Sequence, residues 1–426
     1  MDTQTKTNDN DINDEDMDDI FGDTEGSYEL DNKVSLRVYY DQYFPFDLIY
    51  EWLSINSLFG HGEASQIRFF ERREFSSRIT KMDGTTFVTR NRSFSKLDDI
   101  KDYLKGRNPN NNSIDVAERL DIGPIYSCEP IKKSMVTDYT PLYKEIVFDI
   151  DINDYNDIRV CCSDTSLCMK CWGFLAVAAK FVEMYMKECF GFEQLLYVFS
   201  GRRGLHVWVS DQRALSLSSE ARANIIKYVK YERTSVLLPI LQRGFDELFL
   251  PYFEQHVLEE QDIFGNAAQY KNFLSKLPLE VRVGKKTIIH PLDQIKEKML
   301  EIKDQATSLE KWRAISDYFK QNNLMEYVYD IVFHYTLPRF DDKVTNHIIH
   351  LLKSPFCIHP STGKLCVPID LKDIDQFNPT KVPLLNSILS TPKVSFNPYR
   401  ASFKNYIEQM KLKSQQQISI NDPTSF

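Results

Sequence analysis

The sequence predicts an α/β fold of the α+β kind, with strand-forming and helical runs in separate stretches of the chain. Three observations carry that prediction. Apolar runs of strand length recur at Gln66–Arg92, Lys144–Asp151, Leu195–Phe199 and Leu205–Val209, bounded by turn residues. A helical pattern at Trp172–Phe190 lies among them and stops at Gly191. From about Asp211 to Tyr329 helical patterns dominate and strand signals nearly vanish, which reads as a helical insertion.

Composition sets the bounds. The chain has 426 residues, 42% apolar and 13% aromatic, enough for a buried core. No run approaches the roughly eighteen apolar residues of a membrane span, and Met1-Asp2-Thr3-Gln4 lacks a secretory pattern. The net charge of −9 first argues against a nucleic-acid enzyme, but residues 1–32 alone carry twelve acidic residues and one Lys. The body beyond that disordered acidic tail is close to neutral, so a local basic site is expected rather than a basic surface.

After the tail, Lys33–Phe59 reads as amphipathic helix around a break at Pro45. Gln66–Arg92 reads as strands with a turn at Asp83-Gly84. Arg107–Ser113, rich in Asn and Pro, is loop. Leu195–Phe199 and Leu205–Val209 form two strands joined by a tight glycine-flanked turn. Strand and turn signals return at Phe333–Phe340 and Phe356–Ile369, with a turn at Pro360-Ser361-Thr362-Gly363. Lys411–Phe426 is polar and flexible.

Within Glu145–Asp151, residues two apart share a face, so Asp149 and Asp151 project together opposite Ile146, Phe148 and Ile150. Adjacent like charges repel unless a cation lies between them. A divalent ion with oxygen ligands removes that cost, and two ions about 3.5–4 Å apart can align a hydroxyl with a nucleotide phosphate. The plain alternative is an acidic strand end, since Asp154 and Asp157 follow. Asp341 or Asp342 offers a third carboxylate, and spacing cannot choose between them.

Ser200-Gly201-Arg202-Arg203-Gly204-Leu205-His206 places two guanidiniums and an imidazole around the turn. Glycines permit close backbone approach, and arginine forks suit phosphate oxygens. A solvated hairpin tip is the rival reading. Lys353 and His359 form a second basic group. His347 and His350, one helical turn apart, read as packing histidines more readily than as metal ligands. Cys161, Cys162, Cys168 and Cys171 crowd together in a chain without a secretory signal, which favours zinc over disulfides.

Val147–Asp151, the cysteine cluster, Tyr197–His206 and Leu352-Lys353-Ser354-Pro355-Phe356 occur in an order that resembles the small catalytic subunit of eukaryotic DNA primase, of the archaeo-eukaryotic primase superfamily. The resemblance runs from about Tyr39 to Phe377. It implies a mixed β-sheet catalytic core with a zinc-binding motif and an inserted helical subdomain. It implies Asp149, Asp151 and Asp341 as the Mg²⁺ or Mn²⁺ triad, choosing Asp341 over Asp342. Arg202, Arg203, His206, Lys353 and His359 match nucleotide contacts, with Ser200 beside them. Glu74 and Arg90 match further active-site positions, and Asp121 another nucleotide contact. The four cysteines match zinc ligands. The segment between Glu74 and Arg90 is longer than the family's, and the acidic tail is not a family feature.

The implied organisation is a tail at 1–32, core at 33–212 with the zinc motif at 161–171, a helical subdomain at 213–330, core again at 331–408, and a flexible end at 409–426. The implied function is synthesis of short RNA primers from NTPs on single-stranded DNA template, in the nucleus. Partners are the large primase subunit and DNA polymerase alpha. The alternatives are a repair or restart primase-polymerase favouring dNTPs, and a non-catalytic nucleic-acid-binding scaffold.

Overall fold

The computed structural model describes residues 30–58, 68–81, 85–106, 115–231, 237–265, 270–271, 273, 281–283, 287–289 and 306–421. The expected tail at 1–29, the turn at Asp83-Gly84 and the loop at Arg107–Ser113 lie outside them.

The chain enters through α1 (Leu30–Gln42) and α2 (Phe46–Leu58), parted at Pro45 as the sequence predicts. α1 starts at Leu30, inside the stretch expected to be tail. A helical turn at Phe69–Arg72 replaces the start of the expected strand run, because Phe69 and Phe70 are both buried on it. Next come β1 (Arg73–Thr80), β2 (Thr86–Arg92), α3 (Leu97–Leu104), β3 (Ala117–Tyr126), β4 (Pro141–Tyr143) and β5 (Ile146–Asp151). α4 spans Met169–Phe190 and ends on Gly191 at φ +65°, a left-handed cap that glycine adopts without strain. β6 (Leu195–Phe199), β7 (Gly204–Val209) and α5 (Ser219–Val229) follow. The insertion also contains a small hairpin, β8 (Val281–Val283) with β9 (Thr287–Ile289).

The remaining elements are α6 (Ser308–Gln321), α7 (Met325–Thr336), α8 (Asp342–Asn346), β10 (Leu352–Lys353), β11 (Pro368–Ile369) and α9 (Asn397–Asn421). Two expectations fail here. Phe333–Thr336 is helix, not strand, because Val328, Ile331, Val332 and Tyr335 fall on one buried stripe at helical spacing. Lys411–Asn421 continues α9 instead of forming loose chain. Phe403, Ile407 and Met410 give that helix a buried stripe, and Phe403 meets Trp52 of α2 at 5.8 Å between ring centres.

The strands form two principal sheets, with every described pair antiparallel. One has the order β10-β3-β1-β2, with β4 also on β3; the other has the order β11-β6-β7-β5. β3 was not anticipated. Its apolar residues do not alternate, since both faces are covered and all ten residues are buried. α4 packs on the second sheet, with Trp172, Phe174 and Phe181 buried. Arg73, at the start of β1, and Glu145, just before β5, make a buried two-pronged ion pair that ties the sheets together.

Candidate active site

β5 pairs with β7 in continuous register, and Asp149 lies directly opposite His206. The other edge of β5 meets no strand among the described residues. An uncovered edge leaves backbone groups without partners, and the chain after α7 supplies them. The Asp341 N–H donates to the Asp149 carbonyl oxygen at 3.0 Å, and Thr345 Oγ1 donates to the Val147 carbonyl at 2.6 Å. Covering this edge is what carries Asp341 to the carboxylate pair. Asp342, one residue on, turns to the exposed Lys230.

Electrostatics distinguish the three acids. Burial, then the charges of Asp151 and Asp341, push the Asp149 carboxyl up to about 7. Asp151 is held by its neighbours: Arg203 Nε donates to Oδ2 at 2.5 Å and the Asn153 N–H to Oδ1 at 3.0 Å. Asp341 Oδ1 accepts the Lys343 N–H at 2.9 Å, capping α8. The like charges that Asp151 and Asp341 place on Asp149, and the carboxylate oxygens the three offer, fit a hard divalent cation. Arg203 already offsets part of that charge at Asp151.

The basic turn lies beside the carboxylates, through Arg203 at Asp151 and His206 at Asp149. Gly201, at φ +86°, would bring an added Cβ within 2.8 Å of His359 Cβ, so glycine lets the His359 loop close on the hairpin. Thr362 Oγ1 donates to the Gly201 carbonyl at 2.7 Å and fixes that approach. Ser200 Oγ accepts the Gly204 N–H at 2.9 Å, shaping the turn from within. His206 is buried with Nε2 3.6 Å from Asp149 Oδ1. Burial, Lys353 and His359 pull its imidazole down to about 3, so it is neutral at physiological pH. His359 is also buried and accepts from the Ser361 N–H at Nδ1, 3.3 Å away. Arg202 is half-buried at the turn.

Lys353 comes from the other sheet. β10 pairs with β3 so that Lys353 lies opposite Asp121, and Lys353 acts electrostatically on both Asp149 and His206. Asp121 itself accepts from Arg119 Nε at 3.1 Å. Arg119 was missed, although its i−2 spacing from Asp121 on one strand is a readable signal. Glu74 and Arg90 form a separate paired unit on β1 and β2. Arg90 Nε donates to Glu74 Oε1 at 2.8 Å, and Tyr126 Oη donates to Oε2 at 3.1 Å. Tyr139 stacks on Tyr126 at 4.0 Å between centres. Neither tyrosine carried a sequence signal.

His347 and His350 lie in a turn after α8 instead of on a helix. His350 is held low, at about 3, by burial and then Lys144, and its carbonyl accepts from Lys144 Nζ.

The cysteines converge as predicted. Among the described residues, Cys161, Cys162, Cys168 and Cys171 form the one group whose ligand atoms lie within 4.8 Å of one another. Cys168 Sγ and Cys171 Sγ are 3.7 Å apart. Tetrahedral zinc with Zn–S bonds of about 2.3 Å places its sulfurs roughly 3.8 Å apart, so the donor set fits. The sharp turn that adjacent cysteines require passes through Asp164 at φ +51°. A hydrogen bond from Cys171, then one from Gln261, pull the Cys161 thiol down to about 5.

Residues 148–371 match the family described as DNA primase small subunit. The chain is 32% identical over 405 residues to the DNA primase small subunit of Schizosaccharomyces pombe, covering 89% of this chain and 82% of that one. It is 33% identical over 404 residues to that of Drosophila melanogaster, covering 89% and 85%. It is 32% identical over 398 residues to that of Saccharomyces cerevisiae, covering 88% and 91%.

Proposed function

The chain belongs to the DNA primase small subunit family and is a primase, a nucleotidyltransferase; on that premise we propose that Asp149, Asp151 and Asp341 hold the Mg²⁺ or Mn²⁺ of its reaction. The observation that carries this reading is the approach of Asp341 to Asp149 along the β5 edge, beside a carboxyl that burial and like charge raise to about 7. Such ions supply Lewis-acid activation of the attacking hydroxyl and stabilisation of the leaving pyrophosphate.

The chain's own residues do the rest. Arg202, Arg203, Lys353, His359 and Ser200 would receive the triphosphate, arginine forks matching its oxygens and Lys353 adding a point charge. His206, neutral and buried, would present one nitrogen to a phosphate oxygen without moving a proton. Glu74, engaged by Arg90 and Tyr126, would position Arg90, and Asp121, held by Arg119 and opposite Lys353 in the strand register, would add a nucleotide contact. The product would be short RNA primers on a single-stranded DNA template. Zinc bound by Cys161, Cys162, Cys168 and Cys171 would be structural, because four thiolates leave no open position. We extend the proposal to a large primase subunit and DNA polymerase alpha as partners, and to the nucleus as the site of action.

The test is primer synthesis on a homopolymer template with NTPs and Mg²⁺ or Mn²⁺. Asp149→Ala and Asp151→Ala should each lose it while circular dichroism stays native. Synthesis retained by either variant would overturn the triad.

A further inference from the structure

A recess opens at the C-terminal end of α5, with α4 and the helical turn Pro239–Gly244 contributing its walls. Its volume is about 390 Å³, within the range of about 300–1,000 Å³ usual for small-molecule pockets.

Three features point to what it holds. The first is charge. Lys227 and Lys230 line the recess, and among the described residues none that lines it is acidic. In a chain of net charge −9, such a place favours an anion. Lys230 is ion-paired with Asp342, but both side chains are exposed and such pairs contribute little, so a phosphate can displace the carboxylate.

The second is aromatic surface. Tyr185, Tyr228 and Tyr231 all line the recess. α5 turns Ile225, Ile226 and Val229 to the core, whereas Asn224, Lys227 and Tyr228, spaced i, i+3 and i+4, share its exposed face. Tyr228 is 45% exposed there. Its ring meets Tyr185 and Phe190 edge to face, at 6.0 and 5.8 Å between centres, and its hydroxyl is engaged by Cys189. Tyr231 is anchored by a 2.7 Å hydrogen bond to Asp330 and by its ring contact with Phe333. Fixed rings beside lysines are the pattern of single-stranded nucleic-acid contacts, in which rings stack bases and cations meet phosphates.

The third is place. α5 packs on α8, and Asp342, the partner of Lys230, directly follows Asp341. The rim of the recess therefore adjoins the proposed metal ligands.

We propose that this recess takes an unpaired base of the DNA template, stacked on Tyr228, with Lys227 and Lys230 at the neighbouring phosphates. The inference rests on the reading of single-stranded DNA as the template. The template is the strand with free bases, since each base of the growing primer pairs as it is added. Stacking tolerates any base, which suits a template of varied sequence.

The test measures binding of the full chain to fluorescein-labelled oligo(dT) by anisotropy at low salt. The template KM in primer synthesis is the second readout, and thermal melting is the folding control. Tyr228→Ala should weaken oligo(dT) binding by about 5- to 150-fold, the effect of removing one stacking ring. It should raise the template KM while the KM for NTP holds. Tyr228→Phe keeps the ring and should restore both. Lys227→Gln, at an exposed position, keeps the fold even if Tyr228→Ala melts low. It should lower the slope of log K against log salt by about 0.7. Wild-type affinity, template KM and salt slope in all three variants would overturn the recess and leave the template reading intact. Failure of the wild-type chain both to bind oligo(dT) and to copy it would remove the template reading and the recess together. Equal weakening of duplex and single-stranded DNA in Tyr228→Ala would rule out base stacking and overturn the proposal. Weaker binding of the large subunit by the variants, with DNA binding and template KM unchanged, would reassign the recess to that partner and also overturn it.

Discussion

Arg73 and Glu145 pair through two N–H···O bonds of 2.8 Å each, with both side chains buried at the junction of the two sheets. A third bond from Arg73 Nη1 to the Gly123 carbonyl, at 3.0 Å, anchors the pair to β3. One sheet brings Asp149, Asp151 and His206, the other Lys353 and Asp121, so this clamp sets how the halves of the site face each other.

Removing one member leaves a buried charge uncompensated, which costs about 3–5 kcal/mol, whereas replacing both with apolar residues is often neutral. Arg73→Met should therefore lower stability in urea unfolding by about that amount, and Arg73→Met with Glu145→Leu should recover most of it. Equal loss in the single and double variants would mean that the pair does not act as a unit.

Asp149→Asn removes the charge that Asp151 and Asp341 oppose. In a chelator at pH 8 the variant should melt higher than the wild type. Saturating Mg²⁺ should narrow the gap by stabilising only the wild type, and primer synthesis should fall by at least about 10²-fold. A lower melting point in chelator would show that the carboxylate is structurally favourable as it stands.

Arg203→Lys keeps the charge beside Asp151 but loses the planar fork. Steady-state kinetics should show the KM for NTP rising about 10-fold while melting is unchanged, since bonds to charged groups contribute about 1.5–3 kcal/mol. An unchanged KM would place Arg203 outside triphosphate binding.

Zinc content by mass spectrometry should be near one per chain and fall in Cys161→Ser and Cys168→Ser. Both should melt several degrees lower, while the KM of the remaining folded enzyme holds. Full zinc content in either variant would remove that cysteine from the ligand set.

Burial, with Arg222 next, pulls the Lys144 ammonium down to about 7. The unfolded chain keeps this proton to about 10.4, so between those values it binds more protons than the folded chain and stability rises with pH. Lys144 thus contributes fully at high pH, and the contribution is lost as pH falls toward 7. The stability of wild type relative to Lys144→Met should grow from pH 7 to about 10 in urea unfolding. A flat difference would show that Lys144 stays charged in the fold.

Period-2 patterning in Ile146–Asp151, the glycine-flanked hairpin and the Gly191 stop were legible because each is local: strand alternation, a two-strand turn and a left-handed cap leave marks within about ten residues. The sequence misled where burial overrode local pattern. β3 is buried on both faces and shows no alternation, and the aromatic run before Leu337 suits either a strand or the helix it forms.

The sequence by itself determined the carboxylate strand, the arginine turn and the four thiols, because each is a single short segment whose side-chain directions follow from backbone geometry. Local pattern left open which distant segment joins them; the family resemblance pointed to Asp341 and Lys353, and only the tertiary structure gives the physical means by which they arrive. Asp341 rather than Asp342 reaches Asp149 because its N–H meets the unpaired edge of β5, and Lys353 arrives because β10 pairs with β3 opposite Asp121. Hydrogen-bond satisfaction at sheet edges, a property of the folded strands together, chose those partners.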